Sequence, residues 1–124
     1  MQGAIVITWG SGRPGREAKG FEIFSRALEY FEGLAKEGRI HGHREYFSLT
    51  GNISKWGGLM VIDGQLDELQ KVLISDENLR LMQEADAIVD NFSVTLCGGG
   101  SDQAVGELVT RSVETLSNLG YQSK

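Results

Sequence analysis

The sequence predicts an α+β protein in which helices pack on a four-stranded antiparallel sheet. The segment from Arg16 to Ile40 repeats apolar residues at steps of three and four, which is typical of one face of an α-helix. Four short runs are continuously apolar or alternate with polar residues, which is typical of strands. With a second helical segment and a final amphipathic stretch, the predicted order is β-α-β-β-α-β followed by an extra C-terminal helix.

The first strand and the long helix are the elements with the strongest patterns. Ala4 to Trp9 is a continuous apolar run rich in β-branched residues, so we expect a buried strand. Residues 10–15 form a loop, and Gly38 is expected to end the helix because glycine is common just past a helix end. We expect Phe24 and Phe31 to be buried against the sheet. The whole apolar stripe of the helix contains Phe21, Phe24, Leu28, Phe31 and Ala35, with Ala27 and Leu34 beside them.

The second and third strands are predicted to form a hairpin. Tyr46 to Thr50 is the second strand, and a start as early as His41 is left open. Gly51-Asn52 marks a turn, and Trp56 to Asp63 returns as the third strand.

The remaining chain is predicted to supply two further helical regions around the fourth strand. Residues 65–87 form a helix in two pieces, and Ser75 or Asp76 caps the second piece. Asn91 to Cys97 alternates as the fourth strand. Ser101 can cap a last helix, whose apolar face carries Val105, Leu108, Val109, Val113 and Leu116.

A weak internal repeat agrees with two β-α-β halves, because residues 3–10 and 57–64 are each a glycine-bounded apolar strand. The order of elements is that of the ferredoxin-like arrangement, an antiparallel sheet with two helices on one face. The central strands carry apolar residues on both of their faces, whereas a sheet that is solvated on one face should alternate apolar with polar residues. Either the C-terminal helix or the sheet of a second subunit must therefore cover the other face.

This order, the two-sided apolar centre and the chain length resemble the dimeric α/β-barrel superfamily, which includes antibiotic-biosynthesis monooxygenases and muconolactone isomerases. The resemblance covers residues 1–97 and is one of pattern, so no catalytic residue is carried over. It implies a homodimer with two sheets packed face to face and a pocket either between each sheet and its helices or inside the barrel. We expect a single domain over residues 1–124, with a core of residues 1–97 and a C-terminal helix over residues 101–119.

The composition bounds the possible partners. The net charge of −5 argues against a nucleic-acid surface, which needs clustered Lys and Arg. No apolar run approaches the length of a spanning helix, and the N-terminus lacks a signal-peptide pattern, so no membrane partner is expected. The single cysteine excludes an internal disulfide and predicts a cytoplasmic location. No cofactor is expected.

The segment His41–Glu45 is the best chemical constellation in the sequence. If the second strand starts at His41, then His41, His43 and Glu45 lie on one face at spacings of about 6.6 Å. Such a set could hold a metal, provide a general base, or form an ordinary solvated edge strand. We expect a metal-free site in which His43 is the first candidate for catalysis or ligand contact, with His41 and Tyr46 as further candidates.

The glycine-rich loop and the two tryptophans supply the other candidates. Residues 10–15 match G-x-G-x-x-G, but the hairpin-linked strands favour a tight turn over a dinucleotide site. Arg13 and Arg16 could still hold a carboxylate or a phosphate. Cys97 lacks an identifiable base and is interpreted as a small, partly buried side chain. The predicted ligand-binding set is Trp9, Arg13, Arg16, His43, Glu45 and Trp56.

Three classes of function follow from these features. We favour the binding of a small molecule in a pocket of a dimeric α/β barrel. The first alternative is a cofactor-independent enzyme of the monooxygenase or isomerase type, and the second is a structural protein whose barrel is filled. The feature that separates these classes is whether the polar candidate residues converge on one cavity.

Overall fold

The structure, a computed structural model, describes residues 1–120. The four strands are antiparallel and lie in the order β2-β3-β1-β4. The predicted α+β class, the four-stranded antiparallel sheet and the extra C-terminal helix are thus confirmed. The elements are β1 (Gln2–Trp9), α1 (Glu17–Lys36), β2 (Gly42–Phe47), β3 (Gly58–Gln65), α2 (Leu66–Ile74), α3 (Asp76–Asp86), β4 (Ser93–Gly98) and α4 (Asp102–Asn118).

The core lies between one face of the sheet and helices α1 to α3. On the central strands, Ile5 is opposite Ile62 and Ile7 is opposite Met60, and all four side chains are buried. Burial of one such side chain contributes about 1.5–3 kcal/mol to the transfer free energy. Because side chains alternate along a strand, this pairing fixes which residues of the edge strand β2 also face α1.

Helix α1 meets the sheet along a stripe that is rotated from the predicted one. Ile23, which the predicted stripe omitted, is buried together with Ala27, Phe31 and Leu34. Phe31 is buried as expected, and Phe24 is partly buried against the core. The expected place of Phe21 in this stripe is wrong, because its side chain is 76% exposed. The rotation follows from packing: the small Ala27 and the branched Ile23 sit on the sheet.

The ends of the hairpin strands differ from the predicted ones. β2 begins at Gly42 and ends at Phe47, so the earlier of the two starts is nearly right and residues 48–50 lie outside the strand. β3 begins at Gly58, two residues after Trp56. A Cβ atom at Gly58 would lie 2.6 Å from the ring of Trp9, so this position needs glycine.

Ser75 separates the two pieces of the second helical region, as predicted. Its hydroxyl accepts a hydrogen bond from the backbone N–H of Asn78 at 3.4 Å and so caps α3. The buried amide of Asn78 donates to the carbonyl of Leu73 at 3.1 Å. This bond satisfies a carbonyl that the break between α2 and α3 leaves without a helical partner.

The sheet face opposite α1 to α3 is left uncovered by α4. Ser101 caps α4 by accepting from the N–H of Ala104, and Leu108 contacts the chain at Gly98. Beyond this contact the apolar stripe of α4 is exposed, with Val105, Val109, Val113 and Leu116 each 41% to 58% exposed. The apolar residues of the uncovered sheet face are Ala4, Val6, Leu59 and Val61. Within residues 1–120, no helix is both long and apolar enough to cross a membrane.

Candidate functional site

A pocket of about 270 Å³ lies between α1, α3 and the end of β1. Its wall on the sheet side is formed by Ile7, Trp9 and Met60, and the segment after α3 closes it with Ile88 and Val89. The pocket is almost entirely apolar. The other residues that line the pocket come from the helices, the loops and β2, and they are Gly10, Gly12, Arg16, Glu17, Gly20, Phe21, Ile23, Phe24, Ala27, Phe47, Leu81, Met82, Ala85 and Phe92.

Three aromatic rings form one end of the pocket. Trp9 packs edge-on against Phe24 with ring centroids 5.9 Å apart, and against Phe47 at 6.1 Å. Phe24 and Phe47 are 5.3 Å apart in the same manner. Such edge-to-face pairs are favourable beyond their buried area, by about 0.5–1.5 kcal/mol each. The cluster links β1, α1 and β2, and it gives this end of the pocket a defined shape.

The glycine-rich loop forms the mouth of the pocket. The N–H of Gly10 donates to the carbonyl of Asp90, and Gly12 forms an isolated bridge with Val89. A Cβ atom at Gly10 would lie 1.9 Å from the carbonyl oxygen of Ser54, so close backbone contact requires glycine here. The loop thus serves to fasten the β1–α1 connection to the α3–β4 connection.

Two arginines of this loop meet at the end of α3. Arg13 donates to the carboxylate of Asp90 at 3.3 Å and to the carbonyl of Ala87 at 3.4 Å. Arg16 also donates to the carbonyl of Ala87. Arg16 lines the pocket, whereas Arg13 does not. Both arginines belong to the predicted ligand-binding set, but only Arg16 lies at the pocket, whereas Arg13 is paired with Asp90.

His43 lies in a cluster of charged groups between β2 and α1. Its Nδ1 is 2.6 Å from a carboxylate oxygen of Glu45, and its Nε2 is 3.0 Å from one of Glu32. The His43 side chain is 13% exposed. The imidazole does not line the pocket, although Phe47 of the same strand does. This cluster fastens the edge strand to the helix.

The charge state of His43 follows from these contacts. Partial burial of the ring opposes protonation, but the hydrogen bonds to Glu45 and Glu32 outweigh it and raise the pKa of His43 above its usual value. An imidazolium can donate from both ring nitrogens, whereas a neutral ring can donate from one. The protonated form is therefore the one that satisfies both carboxylates.

The structure places the other predicted residues away from the pocket. Tyr46 lies on the opposite face of β2 and is 50% exposed, and Trp56 lies in the β2–β3 connection and is 54% exposed. His41 precedes β2 and is exposed, so it does not join His43 and Glu45. Cys97 lies on the uncovered face of the sheet, opposite Ala4. Within residues 1–120, no group of three His, Cys, Asp or Glu side chains is arranged to hold a metal ion.

Sequence reasoning missed two parts of this region. Met82 and Ala85 of α3 form one wall of the pocket. Their apolar spacing predicts a helix face, but it does not indicate that α1 and α3 leave a gap between them. Glu32 lies on the polar side of α1, eleven residues before His43, and had no signal as its partner. Of the predicted ligand-binding set, Trp9 and Arg16 line the pocket.

Fold and site together define a ferredoxin-like α+β protein with a markedly apolar pocket. No known family pattern and no curated protein matches the sequence. A solved structure from Bacteroides fragilis NCTC 9343, described as a dimeric protein of unknown function with a ferredoxin-like fold, matches with a TM-score of 0.56. The two sequences are 9% identical, over 77% of this chain and 93% of that one.

A second solved structure has the same fold. It is an ethyl tert-butyl ether d (ethd) family protein from Bacillus halodurans C-125, with a TM-score of 0.57. Its sequence is 11% identical, over 82% of this chain and 99% of that chain. At this level of identity the likeness concerns the fold, and it confirms the predicted ferredoxin-like arrangement.

Proposed function

We propose that this protein binds a small, predominantly apolar molecule in the pocket between α1, α3 and β1. The observation that carries the proposal is an apolar pocket of about 270 Å³ that lies beside the packed core and opens to solvent at its mouth. Protein interiors are normally close-packed, and apolar side chains that line an unfilled pocket lack dispersion contacts on that side. An apolar ligand would restore those contacts, which supports binding over a purely structural role.

The volume limits the size of the ligand. A dry cavity of about 150 Å³ accepts benzene, and pockets for drug-sized molecules run from about 300 Å³ upward. A pocket of about 270 Å³ therefore suits a body of roughly ten carbon atoms, such as a fused two-ring aromatic. Its open mouth beside Phe21 allows a longer substituent to project outward.

The surroundings of His43 favour binding over catalysis at this pocket. An acid–base group must reach the reacting atom directly or through one water. His43 is not part of the pocket lining, and both of its ring nitrogens are held by carboxylates. A monooxygenase- or isomerase-like activity therefore stays the less supported alternative.

We also propose that the protein is a homodimer, joined through the uncovered sheet face. Val6, Leu59 and Val61 line this face and are each partly exposed, because α4 leaves the face open. An exposed apolar face of this kind is typical of a protein–protein interface. A second copy is the occupant that we propose, because a two-fold axis brings two identical apolar faces together, and Arg44 at the edge of the face is already paired with Asp63. The similar Bacteroides fragilis protein is described as dimeric.

Naphthalene binding tests the proposed pocket. We expect saturable binding to the wild-type protein, followed by the change in intrinsic tryptophan fluorescence, because Trp9 lines the pocket. Ala85→Phe adds a ring inside the cavity and should abolish binding while leaving the protein folded. Ala18→Phe places the same ring on the exposed side of α1, outside the pocket lining, and should bind like the wild type. Equal binding by both variants would contradict the proposed site.

A further inference from the structure

We propose that the natural ligand of the pocket carries one anionic group, such as a carboxylate, and that Arg16 is the residue that selects it. This inference rests on the proposed function and adds the chemical class of the ligand. Two observations carry it. Arg16 stands at the mouth of an apolar pocket, and within residues 1–120 its positive charge is not matched by a carboxylate.

Among residues 1–120, Arg16 is the single basic residue in the lining of the pocket. Among residues 1–120, four of the other six arginines form salt bridges, namely Arg13, Arg26, Arg39 and Arg44, whereas Arg80 and Arg111 form none. Arg16 instead donates from Nη1 to the backbone carbonyl of Ala87. A guanidinium has five N–H donors, so this bond orients the group and leaves other donors for a ligand.

The arrangement gives an amphiphilic ligand one orientation. An apolar body fills the space between Ile7, Ala27 and Leu81, and the charged end stays at the mouth beside Arg16. The mouth is also at the N-terminal end of α1, where the helix dipole favours negative charge. Water reaches this end, so the anion keeps part of its hydration, and the cost of burying a charge is avoided.

Glu17 is the group that opposes this preference. It also lines the pocket, and its carboxylate accepts a hydrogen bond from the N–H of Gly15 at 3.4 Å. That contact draws the carboxylate toward the loop. Replacing Glu17 with Gln removes a negative charge from the mouth and should strengthen the binding of an anionic ligand without changing the preference for an apolar body.

A pair of ligands that differ in one charge tests the proposal. 2-Naphthoic acid is ionised at pH 7, whereas 2-naphthalenemethanol has the same rings and no charge. We expect the wild-type protein to bind the acid about 5-fold more tightly than the alcohol, as a partly exposed charge-assisted contact provides. Titration calorimetry of both ligands at moderate salt gives this ratio of dissociation constants directly.

Two arginine variants distinguish a specific anchor from general charge. Arg16→Gln should bring the ratio of the two dissociation constants to about 1, since the charge-assisted contact is lost. Arg13→Gln removes the same charge from the same loop, but Arg13 pairs with Asp90 and does not line the pocket. It should leave the preference for the acid intact. Circular dichroism of each variant verifies that the fold is retained.

The outcomes separate this inference from the function on which it rests. Failure of the neutral alcohol and of naphthalene to bind would overturn the proposed apolar pocket, and the anionic preference with it. Equal affinity of the wild type for acid and alcohol would overturn the anionic preference alone. The assignment of this preference to Arg16 would be overturned if the preference survives in Arg16→Gln, or if Arg13→Gln removes it as completely.

Discussion

Replacing Phe31 with Ala, compared with the same replacement at Phe21, tests whether the observed rotation of α1 is correct. Phe31 is fully buried, its ring centroid lies 5.0 Å from that of Tyr30, and it belongs to the core between α1 and the sheet. Removal of a buried phenylalanine ring costs about 3–5 kcal/mol, from lost transfer free energy and from the cavity left behind. We expect a loss in this range in the free energy of unfolding.

The same loss can be expressed as a melting temperature. The entropy of unfolding is about 2.1 cal/mol/K per residue, so for a chain of 124 residues each kcal/mol lowers the Tm by about 4 °C. A loss of about 4 kcal/mol then predicts a decrease of roughly 15 °C. Urea denaturation followed by circular dichroism measures the free energy, and a thermal scan checks the Tm.

Phe21 supplies the matched control on the same helix. Its side chain is 76% exposed, so Phe21→Ala should change the free energy of unfolding by less than about 0.5 kcal/mol. Phe24 is partly buried within the aromatic cluster, and its Ala variant should fall between these two values. A similar loss for Phe21→Ala and Phe31→Ala would refute the orientation of α1, since the unrotated stripe buries both rings.

Two further predictions concern the charged cluster and the uncovered sheet face. The raised pKa of His43 means that its stabilising contribution is fully present below the ordinary histidine pKa of about 6.5 and is lost as the pH rises through the folded-state value. The difference in free energy of unfolding between wild type and His43→Gln should therefore be about 1–2 kcal/mol at pH 5.5 and shrink by pH 9; a pH-independent difference would contradict this. For the sheet face, we expect a dimer in sedimentation at low micromolar concentration, which Val6→Glu should dissociate and Leu79→Glu, on exposed α3 surface, should not. A monomeric wild type would contradict the proposed homodimer.

The sequence predicted an element correctly wherever its apolar pattern matched only one type of secondary structure. The continuous apolar run of β1, the alternation of β4 and the long stripe of α1 each matched one type of element. Ser75 or Asp76 was predicted as a cap, because the side chain of either can accept from an N–H that the helix start leaves free, and the structure has Ser75 in this role. The apolar character of β1 and β3 on both faces also predicts that a second subunit covers the face that α4 leaves open.

The rotation of α1 could not be read from the sequence alone. Phenylalanines at positions 21, 24 and 31 define a plausible apolar face, but a neighbouring face through Ile23, Ala27 and Leu34 is equally periodic. The structure selects the second face, because Ala27 and Ile23 pack on the sheet while Phe21 remains at the pocket mouth. The choice depends on the shape of the opposing surface, which a one-dimensional pattern does not contain.

The candidate site shows the same division. The sequence located Trp9 and Arg16 near a glycine-rich loop, and it placed His43 beside Glu45 through the period of a strand. It could not show that Arg16 faces a pocket while Arg13 pairs with Asp90, or that Glu32 of α1 reaches His43. Local periodicity determines which side of its own element a residue occupies, whereas cavities and charge pairs form between elements that are distant in the chain and are decided by tertiary packing.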